Sequence, residues 1–286
     1  MAEQQQQAKA VAGEQAKEPV WEDELGQGRP HLHVACYGSP GSRKSTLFAT
    51  FPQPIVVEHF DARGKDLPYW RLGRVTRVQR DKRGMEFREV ITPKGELACV
   101  IEYYHDPIVD EPKAATAFLE RLNRVPREIE KGRCATLVFE TVTSASLTSR
   151  KMYEYDLKAG AKDPRKWYGG AVDTLEEVLL IQLPALACNV CVGLHVSKTK
   201  VEAEGSMVYA PFLPGRLMES FASQWPEVYR AFVDKPRGEK IWRLQTEASE
   251  KFEAASQIGA PDPCEGSYEA LWHWWDKEKK KEKGGK

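Results

Sequence analysis

The stretch CYGSPGSRKSTLFATF, Cys36 to Phe51, decides how the rest of the chain is read. An apolar run, HLHVACY, leads into it as a strand, and STLFATF leads out with the composition of a helix. Between them stand small turn-forming residues, then a basic pair and a hydroxyl. The spacing approaches G-x-x-x-x-G-K-S/T, a loop that wraps phosphates between a strand and a helix. Gly38 opens it, Lys44 and Ser45 close it, and Arg43 stands where the second glycine is expected.

Each part has a physical task. Across Gly38, Ser39, Pro40, Gly41, Ser42, Arg43, Lys44, Ser45 and Thr46, small residues let the backbone turn its N–H groups inward, toward negative charge. The Lys44 ammonium reaches the outer phosphates and the Ser45 hydroxyl holds Mg²⁺. Arg43 gives up glycine's freedom at positive φ, so its side chain must point outward to leave the cradle open. This bears more on the speed of hydrolysis than on binding. The bland alternative is a Gly/Ser turn with a chance lysine, and spacing, composition and context together count against it.

With 286 residues the chain can form one large domain or two small ones. Lysine plus arginine equals aspartate plus glutamate, 42 each, so any nucleic-acid surface must be local. No apolar run approaches the ~20 residues that cross a bilayer. The N-terminal MAEQQQQAKAVAGEQAKEP lacks a secretory apolar core, and a cytoplasmic protein with no membrane partner is expected. Cys36, Cys99, Cys134, Cys188, Cys191 and Cys264 lie mostly in apolar runs and read as reduced, buried thiols. Cys188 and Cys191 form a C-x-x-C without the second ligand pair that zinc needs.

Residues 1–28 have little to bury and read as a mobile arm. A core over 29–260 and an aromatic, basic C-terminal segment over 261–286 complete the expected organisation. Within the core, strand-like PIVVEHF, CATLVFET and NVCVGLHV alternate with helical KAATAFLERLNRVPREIEKG, interrupted at Pro126, and AVDTLEEVLLIQLPALA. That alternation predicts an α/β fold with a mainly parallel sheet flanked by helices. Residues 71–105 break the rhythm and read as an antiparallel β insertion at the sheet edge.

In α/β sheets ligands sit at the carboxyl ends of strands, so polar residues closing apolar runs are the candidates. Glu58 ends PIVVE, Glu140 ends CATLVFE and His195 ends VCVGLH. Glu140 takes the Walker B position as a metal-supporting acid, Glu58 the orientation of attacking water, and His195 the sensing of the γ-phosphate. One polar strand end is more often a loop boundary than a catalyst. Three following a phosphate loop reverse those odds.

The order of motifs resembles the RecA-like P-loop ATPases, and within them a phage-encoded AAA-domain branch that includes single-strand annealing ATPases. GSPGSRKSTLFATFPQPIVVE is similar to that branch's first block, TLVFETVTS to its Walker B strand, and CVGLHVSKTK to its sensor strand. APFLPGRLMESFASQWPEVYRAF is similar to its turn, helix and following strand; the resemblance covers roughly residues 31–257. It implies a RecA-like core, ATP and Mg²⁺ as cofactors, and a homo-oligomer, ring or filament, with sites between subunits. By position Glu58 matches the catalytic glutamate, Glu140 the Walker B acid, and Lys251 a basic residue that reaches a neighbour's phosphates. Arg43 and Glu140 depart from the usual residues.

DLPYWRLGR and YEALWHWWDKEKKK carry aromatics that either stack on single-stranded bases or pack. Residues 150–170 read as a basic, turn-rich loop, solvated or touching nucleic acid. Two functions from different classes follow: a RecA-like ATPase acting on single-stranded DNA in phage-type recombination or replication, and a nucleotide-binding scaffold with slow or no hydrolysis. Phosphoryl transfer to a small molecule is a weaker third, because no acceptor site is visible.

Overall fold

The computed structural model describes residues 31–61, 68–81, 85–106, 112–157, 164–201 and 206–275. The expected N-terminal arm and the basic tail lie outside them. In chain order the strands are β1 (His33–Tyr37), β2 (Ile55–His59), β3 (Arg74–Arg80), β4 (Glu86–Ile91), β5 (Leu97–Tyr103), β6 (Thr136–Glu140), β7 (Asn189–Leu194), β8 (Val196–Val201), β9 (Ser206–Pro211), β10 (Glu227–Asp234) and β11 (Ile241–Gln245). Two short ones follow, β12 (Ala255–Ser256) and β13 (Cys264–Glu265). The helices are α1 (Lys44–Phe48), α2 (Ala114–Leu122), α3 (Val125–Glu130), α4 (Val142–Leu157), α5 (Pro164–Glu177), α6 (Leu217–Gln224) and α7 (268–275).

β1, β2, β6 and β7 are short apolar runs buried along their whole length, as strands covered on both faces must be. They form the middle of a sheet ordered β13-β11-β10-β1-β7-β6-β2-β5-β4-β3, with β12 beside β10. From β10 through β5 every neighbouring pair is parallel. The mainly parallel, helix-flanked α/β fold expected from the sequence is therefore present.

Its two faces carry different cores. On one, Phe118 of α2, Ala145 of α4, Leu175 of α5 and Phe221 of α6 pack on Val56, Leu137, Phe139 and Val190. On the other, Leu47 and Phe48 of α1, Tyr69, and Leu271 of α7 pack on Val34, Val57, Val138 and Cys191. All six cysteines are buried and free.

The structure revises several local expectations. The insertion is antiparallel through β3 and β4, but β5 runs parallel to β2 and belongs to the central sheet. β3 is the outermost strand, and its exposed arginines blunt an edge that would otherwise invite pairing. Residues 150–157 continue α4 and 164–170 open α5, so the expected loop is helical there, and 158–163 lie outside the described residues. Pro126 interrupts the helical run as expected, falling in the first turn of α3, where its missing N–H has no partner to lose. The segment after His195 forms a separate two-stranded sheet, β8 with β9.

Candidate functional site

Parallel pairing brings the ends of β1, β2, β6 and β7 to one edge of the sheet. The Gly38–Ser45 loop leaves β1 there and turns into α1. Glycine is required at position 38: a Cβ would lie 2.5 Å from the Ala231 carbonyl oxygen and 2.8 Å from Ser42 Oγ. Gly41 adopts φ 82° and Arg43 φ 66°, so the arginine takes up the left-handed conformation that a glycine would hold at its position. Its guanidinium points out of the loop and lies 3.2 Å from the ring centroid of Trp242 on β11. The cradle is open.

Lys44 Nζ folds over the loop and donates to Gly38 O at 2.9 Å and Ser39 O at 3.4 Å. Burial lowers its pKa, and the charges of Glu140 and Asp61 oppose that shift. Ser45 Oγ donates to Glu140 Oε1 at 2.5 Å. Tyr69 donates its hydroxyl to Glu140 Oε2 at 3.0 Å. Burial raises the Glu140 carboxyl, while the bonds from Ser45 and Tyr69 and the Lys44 charge hold it down. Gly193 on β7 leaves room for this side chain, since a Cβ there would stand 3.0 Å from Glu140 Cγ.

Two further groups act electrostatically on Lys44 or feel its charge. Asp61, just beyond β2, accepts from the Ser144 hydroxyl and, at 3.5 Å, from Thr141 Oγ1. His195, at the end of β7, is half-buried; burial lowers its pKa, with Asp61 opposing and Lys44 reinforcing the shift.

Not every expected residue arrives. Glu58 is fully buried on the opposite face, against α2. Arg121 Nε lies 4.0 Å from its Oε1 and 2.5 Å from Glu102 Oε1. Burial, then the neighbouring Glu102 charge, pushes the Glu58 carboxyl up to about 8, against the pull of Arg121. The reason is parity: in the β2–β6 register His59, not Glu58, stands beside Glu140, and successive side chains point to opposite faces. Lys251 is exposed beyond β11, where its carbonyl accepts from Tyr209 N at 2.7 Å, and it is not part of the group around Lys44.

Asp61, Tyr69 and Trp242 escape a reading of the sequence. Asp61 and Tyr69 carry weak signals, one an acid just past a strand end and the other a tyrosine after Pro68, but neither signal names its partner across the chain. Trp70, beside Tyr69, packs under Arg88 at 4.9 Å, so both aromatics of DLPYWRLGR have partners within the fold.

The residues present fit a nucleoside triphosphate with a divalent cation. The cradle leaves no room for a Cβ at its first glycine, the ammonium occupies carbonyls that phosphate oxygens can replace, and a hydroxyl–carboxylate pair faces it. Among the described residues no three His, Cys, Asp or Glu side chains hold a metal alone. A cation kept mainly by water and phosphate oxygens, with Ser45 and Glu140, is how Mg²⁺ is usually bound.

A phosphate loop at the carboxyl edge of a mainly parallel sheet defines a P-loop nucleotide-binding protein. A family model described as an AAA domain matches residues 31–257, and the chain belongs to that family of P-loop ATPases. No curated protein matches the chain. Among solved structures, a KaiC-like protein from the hyperthermophilic archaeon Pyrococcus horikoshii is similar at 14% identity and a TM-score of 0.39, over 82% of this chain and 85% of that one. At that distance the likeness bears on nothing further.

Proposed function

We propose that the chain binds ATP with Mg²⁺, hydrolyses it, and uses the nucleotide to control binding of single-stranded DNA in phage-type recombination or replication. The observation that carries the first part is the contact of Ser45 Oγ with Glu140 Oε1, beside a Lys44 ammonium held on the loop carbonyls. In this reading residues 29–260 are the ATPase core.

Lys44 binds the outer phosphates, exchanging loop carbonyls for phosphate oxygens. Ser45 and Glu140 hold Mg²⁺, which when bound neutralises charge on the phosphate oxygens. Tyr69 fixes the Glu140 carboxylate from behind. Asp61, held just beyond β2 by the Ser144 hydroxyl, takes the water-orienting task read into Glu58, which strand parity turns to the other face. His195 reports the outer phosphate to β8, which starts at the next residue and carries the exposed Lys198. Lys251, exposed and apart from this chain's own site, is suited to reach the site of a second copy in a ring or filament. The cytoplasm is the compartment proposed.

ATPase activity with and without single-stranded DNA, in the wild type and Lys44→Ala, tests the reading. We expect turnover stimulated by DNA and lost in the variant, with DNA binding that weakens steeply as salt rises. Unchanged activity in Lys44→Ala removes the loop from the mechanism; labelled single strands left free at low salt remove the DNA. A second reading, a nucleotide-binding scaffold with little turnover, is favoured by the burial of Glu58 away from the site. Slow turnover indifferent to DNA, with nucleotide-dependent oligomerisation, identifies it.

A further inference from the structure

A cavity of about 460 Å³ lies along the outer side of the phosphate loop, walled by Ser42, Arg43 and Thr46 on one side and by Lys240, Trp242 and Leu244 on the other. Its volume falls within the ~300–1,000 Å³ typical of small-molecule sites. It is also on the side of β1 opposite the acids. Glu140 and His195 close β6 and β7, whereas the cavity opens toward β10 and β11, on the other flank of β1 in the sheet order. A phosphate chain whose outer end meets Lys44, Ser45 and Glu140 therefore leaves its inner end at the mouth of this cavity.

We propose that the cavity takes the planar base of the nucleotide, with the indole of Trp242 as its stacking surface. This rests on the reading of the Gly38–Ser45 loop as the phosphate site. Trp242 already holds a flat cation, the Arg43 guanidinium, 3.2 Å from its ring centroid. A base offers the indole a larger planar partner, and stacking on an aromatic face accepts any base because each has a π-face. On two residues of the cavity wall the Ser42 hydroxyl and the indole N–H of Trp242 are buried without a hydrogen-bond partner. Ser42 is 6% exposed, so its hydroxyl is withdrawn from bulk water. Arg43 thus covers the base surface and gives way to the base when the nucleotide binds.

Calorimetric titration with Mg²⁺–ATP and with Mg²⁺–tripolyphosphate, which lacks base and sugar, tests this. In the wild type ATP should bind more tightly than tripolyphosphate. Trp242→Ala should weaken ATP roughly 5- to 150-fold, the equivalent of about 1–3 kcal/mol for one stacked base, and leave tripolyphosphate within about twofold. Trp242→Phe should recover most of the lost affinity. Equal affinity for the two ligands in the wild type, or equal losses for both in Trp242→Ala, overturns the base assignment and leaves the phosphate site standing. Failure of both ligands to bind the wild type, or unaltered binding of both in Lys44→Ala, overturns the phosphate site itself.

Discussion

Arg43 is the residue at which sequence and backbone geometry pull apart. A non-glycine residue at φ 66° costs about 1–2 kcal/mol, and its cation–π contact with Trp242 returns about 0.5–2 kcal/mol. Arg43→Gly should therefore change stability by no more than about 1.5 kcal/mol in urea unfolding. A loss of several would mean that the arginine holds more than the indole. Glu140 is more exacting, because both of its oxygens are engaged. Tyr69→Phe removes a bond to a buried acid and should lower stability by about 1.5–3 kcal/mol, read by the same melts. Glu140→Gln should keep nucleotide binding but raise the Mg²⁺ needed for half-maximal turnover by about 10–100-fold. A Mg²⁺ titration that superimposes on the wild type would take this acid away from the metal.

Among the elements, α7 shows how an aromatic cluster is used. Tyr268 N bonds Thr50 Oγ1 at 2.8 Å, the Tyr268 ring lies 4.9 Å from Phe51, and Leu271 is fully buried. Trp272, Trp274 and Trp275 pack beside it, which makes them a dock for the helix. Leu271→Ala should cost about 2–5 kcal/mol, measured by denaturant unfolding. A near-neutral result would show α7 to be only loosely attached. The β8–β9 pair is held differently: it stands outside the main sheet and begins directly after His195. An element with its own pairing can move without breaking the central ladder, as a reporter of the site must.

For the molecule as a whole, Glu58 gives a global observable. Its folded carboxyl, pushed up to about 8, lies above its ordinary value of 4.5, so the unfolded chain releases its proton first. Its contribution to stability is complete below pH 4.5 and is lost as pH rises toward 8, levelling off above it. Glu58→Gln, neutral at every pH, should flatten that part of the profile. Urea midpoints at intervals between pH 5 and 9 for both proteins measure the difference. Parallel profiles would mean that Glu58 is ionised in the fold. Its neighbours Glu102, Arg121 and Tyr104 form a polar group on the face away from the phosphate loop, so a titration there is expected to leave nucleotide binding alone.

Most of the sheet and all of the phosphate loop were legible in the chain, because both rest on short-range chemistry. A loop that wraps phosphates needs its small residues, lysine and hydroxyl within a few positions of one another, and buried strands declare themselves as uninterrupted apolar runs. That same uniformity hides which way each side chain faces. A strand buried on both sides has no alternating pattern, so PIVVEHF cannot say that Glu58 turns toward α2 while His59 stands beside Glu140. Register between β2 and β6 settles it. Tyr69 behind Glu140 and Trp242 beneath Arg43 are likewise products of contact across 71 and 199 positions, where only packing brings the partners together.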